Sequence, residues 1–381
     1  MADDPLFKDV DGKPAPDQPG LADRAKAGAR GFWARVGDAW RRFWSRIRLG
    51  LRRLRGRPTA AEPGTATGTT TFGLSPRAAR WRWIKRVGLT VLIFPLIYYP
   101  VGMVIMHRIG DDTTFTTATT QGQARSVAVA AALLEREVDT YRWTPNDPFF
   151  VPSWALDNLP NFQRGIHAAL LRFSIEMVDE IGRTRGSSRI DPDLEQARNH
   201  LSRSPDTWVF NFPDQWYPTA TADAEYRKAK QRFQTYNTRL AQGQAVFDRR
   251  ADNLLATIDR INSDLGSQSA IIEQRVRERG GEFFDTRSDD VYYQTKGKIY
   301  TYYLLLRELA VDFKPVVDEK QLGPAWNNML ENMRQAAILQ PLIVRNGKPD
   351  SMLMPSHLAS QGFYLLRARL QLSEISNILL K

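Results

Sequence analysis

The sequence predicts an all-α protein: a single transmembrane helix followed by an extracytoplasmic helical bundle with one long heptad-patterned helix. Three observations lead there. Twenty consecutive residues at 87–106 (VGLTVLIFPLIYYPVGMVIM) carry no charge, and at about 1.5 Å per residue they cover the roughly 30 Å hydrocarbon core of a bilayer. Beyond them, apolar residues recur every three or four positions and strand-like alternation is scarce. Finally, Tyr226, Phe233, Leu240, Phe247, Leu254 and Ile261 follow one another at intervals of seven, the signature of a coiled-coil seam.

Residues 1–20 are rich in Asp, Pro and Gly and read as a disordered N-terminus. Over 21–57, Phe32, Val36, Trp40, Phe43, Ile47, Leu51 and Leu54 form one apolar helix face with Trp33 and Trp44 at its margin. Between Arg24 and Arg57 there are 12 Lys/Arg against the single acid Asp38. That composition suits a basic amphipathic helix lying in the headgroup plane of the cytoplasmic leaflet, with anionic lipid as its partner. The residues expected at the membrane surface are Trp33, Trp40, Arg41, Arg42, Phe43, Trp44, Arg52 and Arg53. Nucleic acid is disfavoured, because phosphate contacts have no use for a continuous aromatic stripe; docking into a protein groove stays open. Residues 58–83 are a linker of Thr, Gly, Ala and Pro ending in a juxtamembrane segment.

The transmembrane helix is assigned to 84–108. Pro95 and Pro100 predict a kink, which spanning helices tolerate. Residues 1–86 carry 19 Lys/Arg against 8 Asp/Glu, which accounts for the whole formal net charge of +11; residues 87–381 carry 34 of each. The excess of positive charge before the span places the N-terminus in the cytoplasm and the C-terminal domain in the periplasm, with Trp81 and Trp83 as interfacial anchors. Because 86 residues precede the apolar run and no small-residue cleavage site follows it, the span reads as an uncleaved signal anchor. The chain has no cysteine, which excludes disulfides and thiol chemistry.

Residues 109–123 are a Thr-rich stretch read as a polar stalk, and 124–381 as a periplasmic all-α domain. Its predicted helices cover 124–141, 162–182, 191–201, 222–265, 267–279, 289–313, 323–339 and 356–380, with Gly, Pro or Asn/Asp between them. The heptad of the longest serves either packing inside the bundle or self-association, since its second seam is weak at Gly243 and Gln244. Two passages rich in proline and aromatics, 143–165 and 206–218, read as ordered loops; prolines 145, 148, 152 and 160 break helix in the first, and its aromatics are expected to bury against the bundle. That loop is the candidate partner-binding site, through Trp143, Asn146, Asp147, Phe149, Asp157, Asn158 and Asn161. The tyrosines at 292, 293, 300, 302 and 303 read either as core rings or, like the loop, as part of a binding surface.

No GxSxG elbow, phosphate loop, HExxH helix or GxGxxG turn occurs, so no catalytic residue, cofactor or metal ligand is assigned. The four histidines are scattered. Glu176, Asp179 and Glu180 share one helix face with Arg172 and Arg183 and read as a solvated, salt-bridged surface. These features fit a non-enzymatic, membrane-anchored cell-envelope protein whose periplasmic domain is a scaffold or binding module for an envelope protein partner. The rivals are a cell-wall-modifying, glycosidase-like enzyme, which needs two carboxyls facing a groove, and an assembly factor for a membrane complex.

The passages WTPNDPFFVP, LDNLPNFQRG, DDVYYQTKGKIYTYYLLLREL and SHLASQGFYLLRARLQLSEI resemble an uncharacterised proteobacterial family of single-span inner-membrane proteins, known only as a domain of unknown function. The resemblance runs from about Ile84 to the C-terminus. It implies a bacterial inner-membrane location with a periplasmic helical domain, and no activity or functional residues.

Overall fold

The computed structural model describes residues 76–182, 190–210, 217–281, 285–341, 343–348 and 354–381, and among the described residues there are ten α-helices and no strand. The basic arm, with Trp33, Trp40, Arg41, Arg42, Phe43, Trp44, Arg52 and Arg53, lies outside the described residues, as does Arg183. In chain order the helices are α1 (Pro76–Met106), α2 (Arg125–Leu134), α3 (Asn158–Glu176), α4 (Pro192–Leu201), α5 (Ala222–Ala241), α6 (Ala251–Arg279), α7 (Thr286–Asp312), α8 (Lys314–Glu319), α9 (Gly323–Ile338) and α10 (His357–Leu379). Wider π-helical turns extend α2 over Glu135–Thr140 and α3 over Met177–Ile181.

α7 is the axis of the domain, packing against α2, α3, α6, α9 and α10. Its sequence explains why: from Tyr292 to Leu309 all but Gln294 and Arg307 are buried, and a helix covered on every side belongs in the core. Tyr292, Tyr293, Tyr300, Tyr302 and Tyr303 are all buried and so are core rings. Polar groups on such a helix need partners. Tyr302 Oη donates to Asp264 Oδ2 at 2.7 Å, Lys298 pairs with the same carboxylate at 3.2 Å, and Glu308 accepts from Arg125 at 2.6 Å.

The α3–α7 crossing is set by two glycines. A Cβ on Gly165 would collide with the Gln294 carbonyl, and one on Gly297 with the Phe162 carbonyl. Each helix presents bare backbone to the other, so the axes approach more closely than any side chain allows. α2 is capped from a distance in compensation for Ala124 at its N-cap: Asp312 accepts from the Arg125 and Ser126 amides, both at 2.8 Å, and Asn237 exchanges two hydrogen bonds with the Ala124 backbone. The first turn of α2 therefore forms only when α5 and α7 are in place.

The single helix expected over 222–265 is instead two, α5 and α6. Gly243, at φ +71°, turns the chain between them, and Tyr236 Oη closes the turn on the Val246 carbonyl at 2.5 Å. α6 then runs through residues 267–279 without a break. The heptad survives as burial: Tyr226, Phe233, Leu254 and Ile261 are fully buried in the common core, while Leu240 is partly covered. α5 packs on α2 and α4, whereas α6 packs on α7 and α10. A seven-residue repeat continues across a turn because both helices keep one face to the same core.

Of residues 109–123, expected as a polar stalk, 111–115 lie against α7. Lys296 joins Asp111 at 2.7 Å, Tyr300 Oη donates to the Asp112 carbonyl at 2.9 Å, and Arg307 donates to the carbonyls of Thr113 and Phe115 at 2.8 and 2.6 Å. Arg136 is sandwiched by the rings of Phe115, Tyr300 and Tyr141 at 4.8, 5.2 and 5.6 Å, a desolvated cation–π cluster that adds to the ion pair with Glu137 at 2.8 Å.

The glycine crossing predicts an inverted substitution effect. Alanine normally stabilises a helix by up to about 1 kcal/mol over glycine, but Gly297→Ala should destabilise by about 1–3 kcal/mol through overpacking. Gly323→Ala, where a Cβ meets nothing, should not. Denaturant unfolding of the two variants in detergent measures the contrast.

Candidate functional site

Residues 141–157 leave α2, cross the end of the domain and return as α3. The departure is abrupt: Arg142 takes φ +75°, a left-handed conformation costly for a side-chain-bearing residue. It is held there because its carbonyl accepts from Gln163 Nε2 at 2.9 Å and its guanidinium pairs with Asp147 at 2.7 Å.

The first half of the loop is bolted to the domain. Trp143 is buried edge-on against Tyr226, with centroids 4.9 Å apart, and its indole N–H donates to the Pro205 carbonyl at 2.9 Å. Thr144 donates to Gln163 Oε1 through both its amide and its hydroxyl, at 2.9 and 2.7 Å. Asn146 is buried, giving its amide to the Thr207 carbonyl at 3.0 Å and to Asp223 at 3.3 Å. Asp147 also accepts from the Ser153 hydroxyl. Of the residues proposed for partner binding, Trp143, Asn146 and Asp147 therefore hold the loop in shape and face inward.

The second half faces outward. The expectation that its aromatics bury against the bundle fails for Phe149, Phe150 and Trp154, all more than half exposed. Phe150 meets Trp208 edge-to-face at 6.0 Å, and Trp208 meets Phe210 at 5.8 Å. Phe150 of the first aromatic passage thus meets Trp208 of the second. The loop also sits on α1: a Cβ on Gly102 would collide with Pro152, the Tyr98 hydroxyl donates to the Phe150 carbonyl at 3.0 Å, and the Tyr99 hydroxyl donates to that of Phe149. Sequence reasoning missed Tyr98, Tyr99 and Gly102; their signal was two hydroxyls and a glycine on one face of an otherwise apolar helix.

Beside the loop, Asp157 caps α3 through the Asn158 amide at 2.9 Å, which lets the helix begin before Pro160. Proline in the first turn lacks only an N–H that has no helical partner there. Asn158, with its amide nitrogen turned toward the acids, donates to Asp289 at 2.6 Å, and Asn161 donates to Asp290 at 2.5 Å. Asp157, Asp289 and Asp290 thus face one another across the α3–α7 junction. Burial, with the charges of Asp157 and Asp290, pushes the Asp289 carboxyl up to about 7. A second carboxyl behaves alike. Glu176, expected on a solvated surface, is fully buried between Arg172 and Arg260 at 3.5 and 3.7 Å. Burial, only partly opposed by those arginines, pushes it up to about 7. Among the described residues, no group of three His, Asp or Glu side chains is arranged to hold a metal ion.

Both carboxyls bind a proton in the folded chain at pH values where the unfolded chain, titrating near 4, has released it. Their contribution to stability is therefore present at low pH and lost as pH rises from about 4 to about 7. The double variant Glu176→Gln, Asp289→Asn should melt increasingly above the parent across that interval, with the difference level at higher pH. A difference independent of pH would contradict the assignment.

Comparison with known proteins locates the chain without supplying an activity. No curated protein and no solved structure matches it. Residues 101–283 match the model of a bacterial protein family. That match takes in the C-terminal end of α1, the loop and α2–α6, and is narrower than the resemblance from Ile84 onward. The family to which this segment is similar is described as "Uncharacterized protein conserved in bacteria (DUF2333)".

Proposed function

We propose that this chain is a single-span, membrane-anchored protein of the bacterial envelope whose helical domain lies on the periplasmic side of the inner membrane and acts as a non-enzymatic binding module or scaffold. The observation that carries the reading is α1. Its segment Arg80–Met106 is long and apolar enough to cross a bilayer, and none of its most apolar window is buried in the protein. Val91, Leu92, Leu96 and Val104 are 67, 64, 68 and 80 % exposed. Such a surface is stable in hydrocarbon and costly in water, at about 25 cal/mol per Å². Arg80, Arg82, Lys85 and Arg86 at one end, against Asp111 and Asp112 beyond the other, favour a cytoplasmic N-terminus. The basic arm would then lie on the anionic inner leaflet.

Binding is favoured over catalysis because the loop spends its buried polar groups on its own architecture and turns apolar rings outward. A periplasmic hydrolase is the second reading, supported by Asp289, a carboxyl held near 7 beside two others, as a general acid requires.

A reporter fused after Lys381 should be active only when exported, and protease added to spheroplasts should digest the domain while sparing the arm. Cytoplasmic activity of that fusion would overturn the orientation. Crosslinking in intact cells should capture an envelope protein on the domain.

A further inference from the structure

The proposed function leaves the outward rings of the loop without a ligand, yet their position on α1 specifies one. From Arg80 to Phe94 every residue of α1 is exposed, whereas Pro95, Tyr98, Tyr99, Gly102, Met103 and Met106 are half-covered. They recur every three or four residues, so they lie on one face. For Tyr98, Tyr99 and Gly102 the loop supplies the cover, through Pro152 on Gly102 and the two tyrosine hydroxyls on the Phe149 and Phe150 carbonyls. Tyr98 lies eight residues before the end of α1, about 12 Å along its axis. If α1 spans a bilayer, the loop reaches below the outer end of the span.

Most of the loop's backbone suits that depth. Irregular backbone is tolerated in a membrane only where its polar groups are satisfied. Pro148 and Pro152 have no N–H; the Val151, Trp154 and Leu156 amides donate within the loop at 2.9, 3.0 and 3.0 Å; and the α1 tyrosines take two of its carbonyls. What remains pointing away is apolar: Phe149, Phe150 and Trp154, at 66, 51 and 59 % exposure. Tryptophan and aromatic side chains of this kind partition to the membrane interface.

We infer that residues 148–156 form a second, non-spanning membrane contact, in which Phe149, Phe150 and Trp154 insert into the acyl chains of the leaflet on the domain side, packed against the outer half of α1. The ligand is lipid. This inference rests on the reading of α1 as a span. The domain is thereby held face-on to the bilayer, and the converging rings of Trp208 and Phe210 extend the contact at its rim.

Because the chain has no cysteine, single labels are unambiguous. Phe149→Cys, Trp154→Cys, mid-span Leu92→Cys and exposed Glu273→Cys, each spin-labelled in the full chain, are compared in vesicles of phosphatidylethanolamine and phosphatidylglycerol for collision with oxygen and with a water-soluble nickel chelate. The loop labels should match Leu92→Cys, with oxygen enriched and nickel access lost, while Glu273→Cys stays open to nickel. Nickel access at the loop with Leu92→Cys protected would overturn the inference and leave the span standing; nickel access at Leu92→Cys would overturn both. A conservative variant gives an independent reading. Trp154→Phe should reduce the fluorescence quenching produced by lipids brominated in the upper acyl chain, and unchanged quenching would place Trp154 in water.

Discussion

The close crossing of α3 and α7 is the constraint on which the rest of the domain depends. Two glycines, Gly165 and Gly297, let backbone meet backbone, and that contact sets the position of every group α7 carries. Toward its N-terminus, α7 brings Asp289 and Asp290 to the cap of α3. Farther along it presents Lys296, Tyr300 and Arg307 to the segment after α1, and at its end Asp312 caps α2. One buried helix therefore organises the bundle and the connection to α1, because a polar group at low dielectric has few acceptable positions and each partner inherits them.

That connection is made twice. The chain leaving α1 is fastened to α7 through Asp111, Asp112, Thr113 and Phe115, and the loop between α2 and α3 returns to rest on α1 at Tyr98, Tyr99 and Gly102. Burial lowers the Lys296 ammonium from the usual lysine range while Asp111 works in the opposite direction, so the fastening is an ion pair formed out of water. Breaking such a pair by removing one partner leaves the other charge stranded. A domain held at two points has little freedom to swing, which separates this arrangement from a bundle on a tether.

Periodicity made much of the fold legible. The uncharged run at 87–106 lies within α1, which begins at Pro76 inside the segment 58–83 read as linker; the Asp191-Pro192 pair starts α4, and Gly323-Pro324 starts α9. The turn at Gly243 was hidden because the heptad continues through it, and a repeat reports which residues share a core without reporting how many helices carry them. Residues 109–123 read as a stalk since their hydrophilic composition is that of a solvated segment; their partners, Lys296 and Arg307, lie some 190 residues away. The site was legible by composition and not by orientation. Trp143 and Phe149 look alike in sequence, but one is fixed inward by an acceptor at Pro205 and the other turned outward by its seat on α1. Glu176 read as surface because charge pairs at helical spacing usually are, and its burial comes from α6 folding over it through Arg260.

The two fastenings hold α1 and the helical domain in one compact unit, and the most direct measurement of that union is a distance distribution between them. Spin labels at Val104 near the C-terminal end of α1 and at Glu273 on α6, introduced as cysteines into the full chain in nanodiscs, can be read by double electron–electron resonance. A single narrow distribution, unchanged between nanodiscs of different lipid charge, is the predicted result. A broad distribution spanning many orientations would contradict the account and describe a domain that moves freely on a stalk.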